Sequence, residues 1–182
     1  MKFYVFLASG FETVEALAVV DILKRGQVDV FTVSVTENRD VYSSHDIKVT
    51  ADLTIGASDF EDGVGLLIPG GLKGVEGLEG SKELAKIIDK YAADGKLVTA
   101  ICAGPAILGH HNLLDGRRAT CYPGFEEELY GAICNGAAVE IDDNFITGKG
   151  MGKTIEFALE ILKYLTTKEN AERVAKSTMF ID

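Results

Sequence analysis

Short apolar runs alternate with amphipathic stretches along the chain. The apolar runs are rich in β-branched residues and end in glycine or small polar residues, so they predict buried strands at Phe3–Ala8, Val28–Val35, Val64–Ile68 and Leu97–Ile101. The amphipathic stretches carry apolar residues at helical spacing and predict helices at Glu12–Arg25, Lys82–Ala93, Met151–Leu165 and Glu169–Lys176. Strands that alternate with helices predict an α/β fold with a mainly parallel sheet covered on both faces.

Shorter extended segments complete this pattern. Val41–Ser44 and Asp46–Ala51 are compatible with a hairpin, and Ala137–Ile141 and Asn144–Thr147 predict a second strand pair.

Three loops follow predicted strands at their carboxyl ends, namely Ser9–Glu12, Pro69–Gly71 and Cys102–Gly104. Ligands of parallel α/β sheets bind at this edge. We therefore expect the three loops to converge on one site.

The composition is that of a folded, acidic chain. Its 182 residues are 47% hydrophobic and 25% charged, which predicts one domain over residues 1–182. The net charge of −10 argues against nucleic acid or an anionic membrane as a partner. No apolar run is long enough for a membrane span or a signal peptide. The 3 cysteines lack metal-site spacing, so we expect free thiols, no metal or other cofactor and a cytoplasmic location.

Cys102 lies where a buried strand runs directly into a predicted helix. Ala103 and Gly104 are small enough for a crowded turn, and Pro105 suits the first turn of a helix. The thiol is then expected to face free backbone N–H groups, which would lower its pKa and make it a nucleophile. Free cysteines are also common as small core residues, and both interpretations stay open on this segment alone.

Acidic and glycine residues on the other two loops are candidate partners of that thiol. Glu12 and Glu15 both lie in the first helical turn, and for Glu12 we prefer a capping role. Glu15 has apolar neighbours, which would raise its pKa and suit it to acid–base chemistry. Gly70 and Gly71 form either a plain turn or backbone that donates N–H groups to an oxyanion.

Read together, three segments resemble the ThiJ/PfpI (DJ-one) superfamily, namely Ala8–Glu15, Leu67–Gly71 and Ala100–Pro105. The resemblance covers nearly the whole chain and is closest to the branch of the Parkinson-linked protein deglycase. It implies a flavodoxin-like α/β three-layer sandwich that usually forms a homodimer. It also implies activities that range from glutathione-independent glyoxalase and protein deglycase to oxidative-stress sensing and chaperone function.

The resemblance also implies roles for four residues. Cys102 is expected to be the nucleophilic, oxidation-sensitive cysteine, and Glu15 its carboxyl partner. Gly71 and Ala103 are expected to supply amide N–H groups to the oxyanion, with Gly70 lining the site.

Three positions qualify that assignment. Members proposed as glyoxalases often carry a histidine in a His-Pro step after the cysteine's helix, where this chain has Tyr122, a poor base at neutral pH. Ala103 replaces the histidine that follows the cysteine in the peptidase branch, which disfavours a peptidase or a glutamine amidotransferase. His45 falls where relatives have an arginine that reaches the partner subunit's site, so it is a candidate site-lining and interface residue.

Two functions remain as hypotheses. The first is a cysteine-dependent enzyme that acts on a small aldehyde or a glycated substrate. The second is an oxidative-stress sensor or chaperone-like protective protein that needs no turnover. His110 and His111 are read as structural, and Cys121 and Cys134 as ordinary thiols.

Overall fold

The computed structural model describes residues 1–57 and 59–182. The strands in these residues are β1 (Lys2–Leu7), β2 (Asp29–Ser34), β3 (Asp40–Tyr42), β4 (Lys48–Thr50), β5 (Leu53–Thr54), β6 (Gly63–Ile68), β7 (Leu97–Ile101), β8 (Arg118–Ala119), β9 (Ile133–Cys134), β10 (Val139–Asp142) and β11 (Phe145–Gly148). The helices are α1 (Thr13–Arg25), α2 (Leu72–Glu79), α3 (Lys82–Ala93), α4 (Pro105–His110), α5 (Thr154–Leu165) and α6 (Lys168–Ser177).

A mixed but mainly parallel sheet forms the centre of the molecule. Within the described residues it contains seven strands in the order β10-β11-β7-β6-β1-β2-β5. Only the β10–β11 pair in this sheet, again among those residues, is antiparallel. The predicted hairpin is present as the antiparallel pair β3–β4. The fold is therefore the α/β arrangement with a mainly parallel sheet that the alternating pattern predicts, and it is the flavodoxin-like sandwich that the resemblance implies.

Alternate residues of the central strand β1 enter two hydrophobic layers. Phe3, Val5 and Leu7 pack on one face, with residues of α1, α5 and α6. Tyr4 and Phe6 pack on the other, with residues of α2, α3 and α4. Because helices cover both faces, the strands are buried almost throughout, and the loops at their carboxyl ends are left to form a site.

Two helical regions differ from the sequence prediction. The region predicted as a helix from Met151 begins with a 3₁₀ turn, Met151–Lys153, and α5 proper starts at Thr154, whose hydroxyl donates to the carbonyl of Met151 over 2.8 Å. Helix α2 was not predicted, because its glycines disfavour a helix in isolation.

Candidate active site

The three loops at the carboxyl edge of the sheet meet as expected. The amide of Glu12 donates to the carbonyl of Gly70 over 2.9 Å, and the amide of Gly70 donates to Oε2 of Glu15 over 2.9 Å. A cavity of about 590 Å³ opens above them and is lined by residues of all three loops, including Cys102 and Ala103.

The turn at Cys102 is a strained strand-to-helix connection. Cys102 has φ of 65°, a conformation that non-glycine residues rarely adopt and that is found most often at functional sites. Two backbone hydrogen bonds of 2.9 Å hold it, one from its amide to the carbonyl of Gly148 and one from the amide of Tyr122 to its carbonyl. Gly104 fits because a Cβ there would lie 2.7 Å from the carbonyl oxygen of Ile68.

Glu15 is a buried carboxyl group in contact with the thiol of Cys102. Glu15 is only 1% exposed, and the Oε1 atom of its carboxyl group is buried next to the cavity. The pKa of Glu15 is raised to about 7, and burial is the main cause. Hydrogen bonds from Cys102 and from the amides of Gly70 and Met151 act in the opposite direction and limit this rise. The apolar neighbours of Glu15 in the sequence predict this direction. Glu15 therefore carries a proton part of the time near neutral pH.

The thiol of Cys102 does not have the lowered pKa that its position before a helix led us to expect. The pKa of Cys102 is raised to about 12, mainly by burial and secondly by the nearby charge of Glu15 and the hydrogen bond to it. The amides of Ala103 and Gly71 act in the opposite direction by donating toward the sulfur. Protonation of Glu15 removes the repulsion, so the thiolate forms most easily when the carboxyl group holds the proton.

Gly70 and Gly71 are required by contacts at the floor of the cavity. A Cβ on Gly70 would lie 2.4 Å from Oε2 of Glu15 and 2.6 Å from Cβ of Cys102. Gly71 has φ of 91°, and its Cβ would lie 2.2 Å from the carbonyl oxygen of Gly10. The bare backbone thus lets the carboxyl group, the thiol and the amides approach one another.

The remaining candidate residues divide into those at the cavity and those away from it. Tyr122 and His45 both line the cavity, and Tyr122 is 53% exposed. Glu12 occupies the N-cap position of α1, but its side chain makes no capping hydrogen bond, contrary to our preferred reading. It instead accepts a hydrogen bond from the hydroxyl of Ser44 and lines the same cavity.

The other histidines and cysteines lie away from the cavity. His110 contacts Glu79 and Glu128, and His111 contacts Asp89. Cys121 is buried, and Cys134 lies in the short strand β9. None of these residues lines the cavity beside Cys102.

Comparison with known proteins identifies the family of this chain. The DJ-1/PfpI family model matches residues 1–164. The chain belongs to the DJ-1/PfpI family.

Similar members of the family come from distant organisms. Protein DJ-1 homolog B of Arabidopsis thaliana is 41% identical over 96% of this chain, and protein dj-1beta of Drosophila melanogaster is 32% identical over 96% of this chain. The match covers 95% of the Drosophila protein but only 40% of the Arabidopsis protein, so the chain spans about two fifths of that longer relative. The structure of oxidized Toxoplasma gondii DJ-1 superposes with a TM-score of 0.94 at 34% identity and covers 98% of this chain and 97% of that one.

Several residues that line this DJ-1/PfpI cavity were missed by sequence reasoning. They are Ser44, Leu72, Lys73, Phe125 and Met151. Leu72 and Lys73 begin α2, just after the Pro69–Gly71 loop, and Met151 follows β11 closely. Ser44 and Phe125 follow no strand of the central sheet, so the rule of carboxyl-end loops did not point to these two. The predicted hairpin that contains Ser44 was the only sequence signal for this residue, and it did not show that the hairpin packs over the first loop.

Two further observations concern the molecule around the site. Among residues 1–57 and 59–182, no group of three or more histidine, cysteine, aspartate and glutamate side chains is placed to hold a metal ion. In the same part of the chain, no helix has both the length and the apolar character needed to cross a membrane.

Proposed function

We propose that this protein is a cysteine-dependent enzyme that converts a small 2-oxoaldehyde, such as methylglyoxal, into a hydroxy acid without glutathione. One observation carries the proposal: the sulfur of Cys102 lies against the buried carboxyl group of Glu15 and within reach of the Gly71 and Ala103 amides, at the floor of an open cavity. This set contains a nucleophile, an acid–base group and oxyanion donors.

The first step is addition of Cys102 to the aldehyde carbon. A carbon–sulfur bond forms, the thiol proton passes to the former aldehyde oxygen by way of Glu15, and the product is a hemithioacetal. The Gly71 and Ala103 amides stabilise the negative charge on the oxygen as it develops.

The second step moves a proton between neighbouring carbons. The carboxylate of Glu15 removes the proton from the carbon bonded to sulfur, which produces an enediolate. The proton of the former aldehyde hydroxyl passes to the neighbouring oxygen of the enediolate, and Glu15 returns a proton to the adjacent carbon, so that the hemithioacetal becomes a lactoyl thioester on Cys102. Water cleaves this thioester into lactate and the free thiol.

A pKa near 7 suits Glu15 to both directions of this transfer. An acid–base group works best when its pKa lies near the working pH, because both protonation states are then populated. Burial of Glu15 supplies that property without help from a histidine.

The test is lactate production from methylglyoxal, in the absence of glutathione, by the unmodified protein and three variants. Cys102→Ser is expected to reduce turnover to background, and Glu15→Gln to lower it by roughly 10²–10⁴-fold. Cys134→Ser, which alters a thiol outside the cavity, is the matched control and is expected to keep full activity. Turnover that survives in either of the first two variants contradicts this mechanism.

A second function is favoured by the presence of Tyr122 in place of a histidine in the cavity. In this alternative the protein senses oxidants, and Cys102 is converted to a sulfinate held by Glu15 and the two amides. The solved structure of a similar protein, Toxoplasma gondii DJ-1, is of its oxidized form. Absence of turnover in the unmodified protein would favour this function over the enzyme.

A further inference from the structure

Three hydrogen-bonded side chains lie at the mouth of the Cys102 cavity. Oγ of Ser44 donates to Oε2 of Glu12 over 3.1 Å and lies 3.0 Å from Nδ1 of His45. All three residues line the same cavity as Cys102 and Glu15.

The chemistry of these groups fixes the direction of the hydrogen bonds. The hydroxyl of Ser44 has one hydrogen, and it is donated to the carboxylate of Glu12, which can only accept. The contact between Ser44 and His45 is therefore donated by Nδ1–H of the imidazole. In neutral His45 this leaves Nε2 unprotonated, with a free lone pair that can accept a proton.

The backbone next to His45 is hydrogen-bonded to the first loop of the site, Ser9–Glu12. The amide of Ser44 donates to the carbonyl of Phe11 over 2.8 Å, and the amide of Gly10 donates to the carbonyl of Tyr42 over 2.7 Å. The buried hydroxyl of Ser43 accepts a hydrogen bond from the amide of His45 over 3.3 Å. The position of His45 relative to Glu12 is thus set by both backbone and side-chain contacts.

We infer that His45 is the general base that activates water for the final step of the proposed reaction. This inference rests on the proposed glyoxalase function. Nε2 of His45 takes a proton from water as the water oxygen adds to the carbonyl carbon of the lactoyl thioester. The carbon–sulfur bond then breaks, lactate leaves, and the sulfur of Cys102 recovers a proton from the His45 imidazolium.

The two bases are separated by their positions in the cavity. Glu15 is buried at the floor, hydrogen-bonded to the amide of Gly70 and in contact with the sulfur, where it serves the proton transfer between carbons. His45 also lines the cavity but is exposed to solvent. Tyr122 lines the cavity too, but a phenol is a poor base near neutral pH.

The experiment is single-turnover mass spectrometry of the intact protein after mixing with methylglyoxal. His45→Gln is expected to form the lactoyl thioester on Cys102 at an undiminished rate and to accumulate it. Steady-state lactate production should fall by roughly 10²-fold. Added imidazole should restore release of lactate from a His45→Gly variant. His111→Gln, which changes a histidine paired with Asp89 away from the cavity, is the control and should accumulate no adduct.

The outcomes separate this inference from the function on which it rests. If His45→Gln turns over like the unmodified protein, or loses activity without accumulating a thioester, His45 is not the deacylating base. If the unmodified protein itself forms neither adduct nor lactate, the proposed glyoxalase function is wrong instead.

Discussion

At the scale of single residues, the chemistry of this site depends on where one proton lies. Cys102 and Glu15 are both acids; Glu15 is buried and Cys102 is partly buried. The charge of ionised Glu15 raises the pKa of Cys102, whereas the hydrogen bond from the Cys102 thiol lowers the pKa of Glu15. With the proton on Glu15, the sulfur is surrounded by hydrogen-bond donors from the carboxyl group and from the amides of Gly71 and Ala103. The thiolate is therefore coupled to a protonated carboxyl group and does not arise from the turn alone.

This coupling predicts selective oxidation of Cys102. With mild peroxide, each of two peroxide molecules transfers one oxygen to the sulfur and leaves as water, so the thiolate becomes a sulfinate. Cys102 opens into the cavity and has stabilising amides, whereas Cys121 is only 3% exposed and its pKa is also raised by burial, to about 12. Peptide mass spectrometry should find two added oxygens at Cys102 well before any at Cys121.

A variant of Glu15 tests whether the carboxyl group is responsible for this selectivity. Glu15→Asp shortens the side chain that donates to the sulfur, and it should slow the gain of the second oxygen. Oxygen spread evenly over Cys102, Cys121 and Cys134 would mean that the site gives the sulfur no special reactivity.

Individual site residues could be predicted only where the signal was local. Cys102 was found because strand, small residues and proline follow one another, and Glu15 because its neighbours in the helix are apolar. The pKa of Cys102 was predicted in the wrong direction, because the tertiary fold buries much of the thiol and brings the charge of Glu15 close to it. The contact of Ser44 with Glu12 joins residues 32 positions apart and has no local signal.

At the scale of elements, the buried strands were easy to predict and the glycine-containing helix was not. Strand β7 and helix α3 have the predicted bounds, because hydrophobic periodicity is a local property. Ser81 caps α3, with its side chain accepting a hydrogen bond from the amide of Leu84. Helix α2 exists because packing overrides its low intrinsic propensity. Its residue Gly74 lies directly against the loop that carries the first part of the site.

We expect Gly74→Ala to destabilise the protein through that contact. A Cβ at residue 74 would lie 2.7 Å from both the amide nitrogen and Cα of Phe11, so the helix and the loop must separate. Overpacking of this kind costs roughly 1–3 kcal/mol in the free energy of unfolding. Urea denaturation measures that cost.

Gly80→Ala is the matched control at the end of the same helix. Its Cβ would meet no atom closer than 3.4 Å, and its φ of −67° suits alanine. The free energy of unfolding is expected to change by no more than about 0.5 kcal/mol. Equal losses in the two variants would show that contact with Phe11 does not set the cost.

At the scale of the whole molecule, the buried carboxyl group of Glu15 links folding to pH. The pKa of Glu15 is about 7 in the folded protein, against an ordinary value of 4.5. The folded state therefore binds the proton more tightly than the unfolded state does. For a group shifted upward, the stabilisation is fully present below pH 4.5 and is lost as the pH rises through 7.

The resulting change should be measurable as a difference between two proteins. The unmodified protein should lose about 3 kcal/mol of unfolding free energy relative to Glu15→Gln between pH 4.5 and pH 8, because one pKa unit corresponds to about 1.4 kcal/mol. Urea denaturation of both proteins at several pH values gives this difference. His110, whose pKa is raised by its hydrogen bond to Glu79, is present in both and cancels. Parallel stability curves would mean that Glu15 is ionised in the folded protein throughout this range. In that case Glu15 would hold no proton to exchange with Cys102 near neutral pH, and the proton transfers proposed for the site would lose their physical basis.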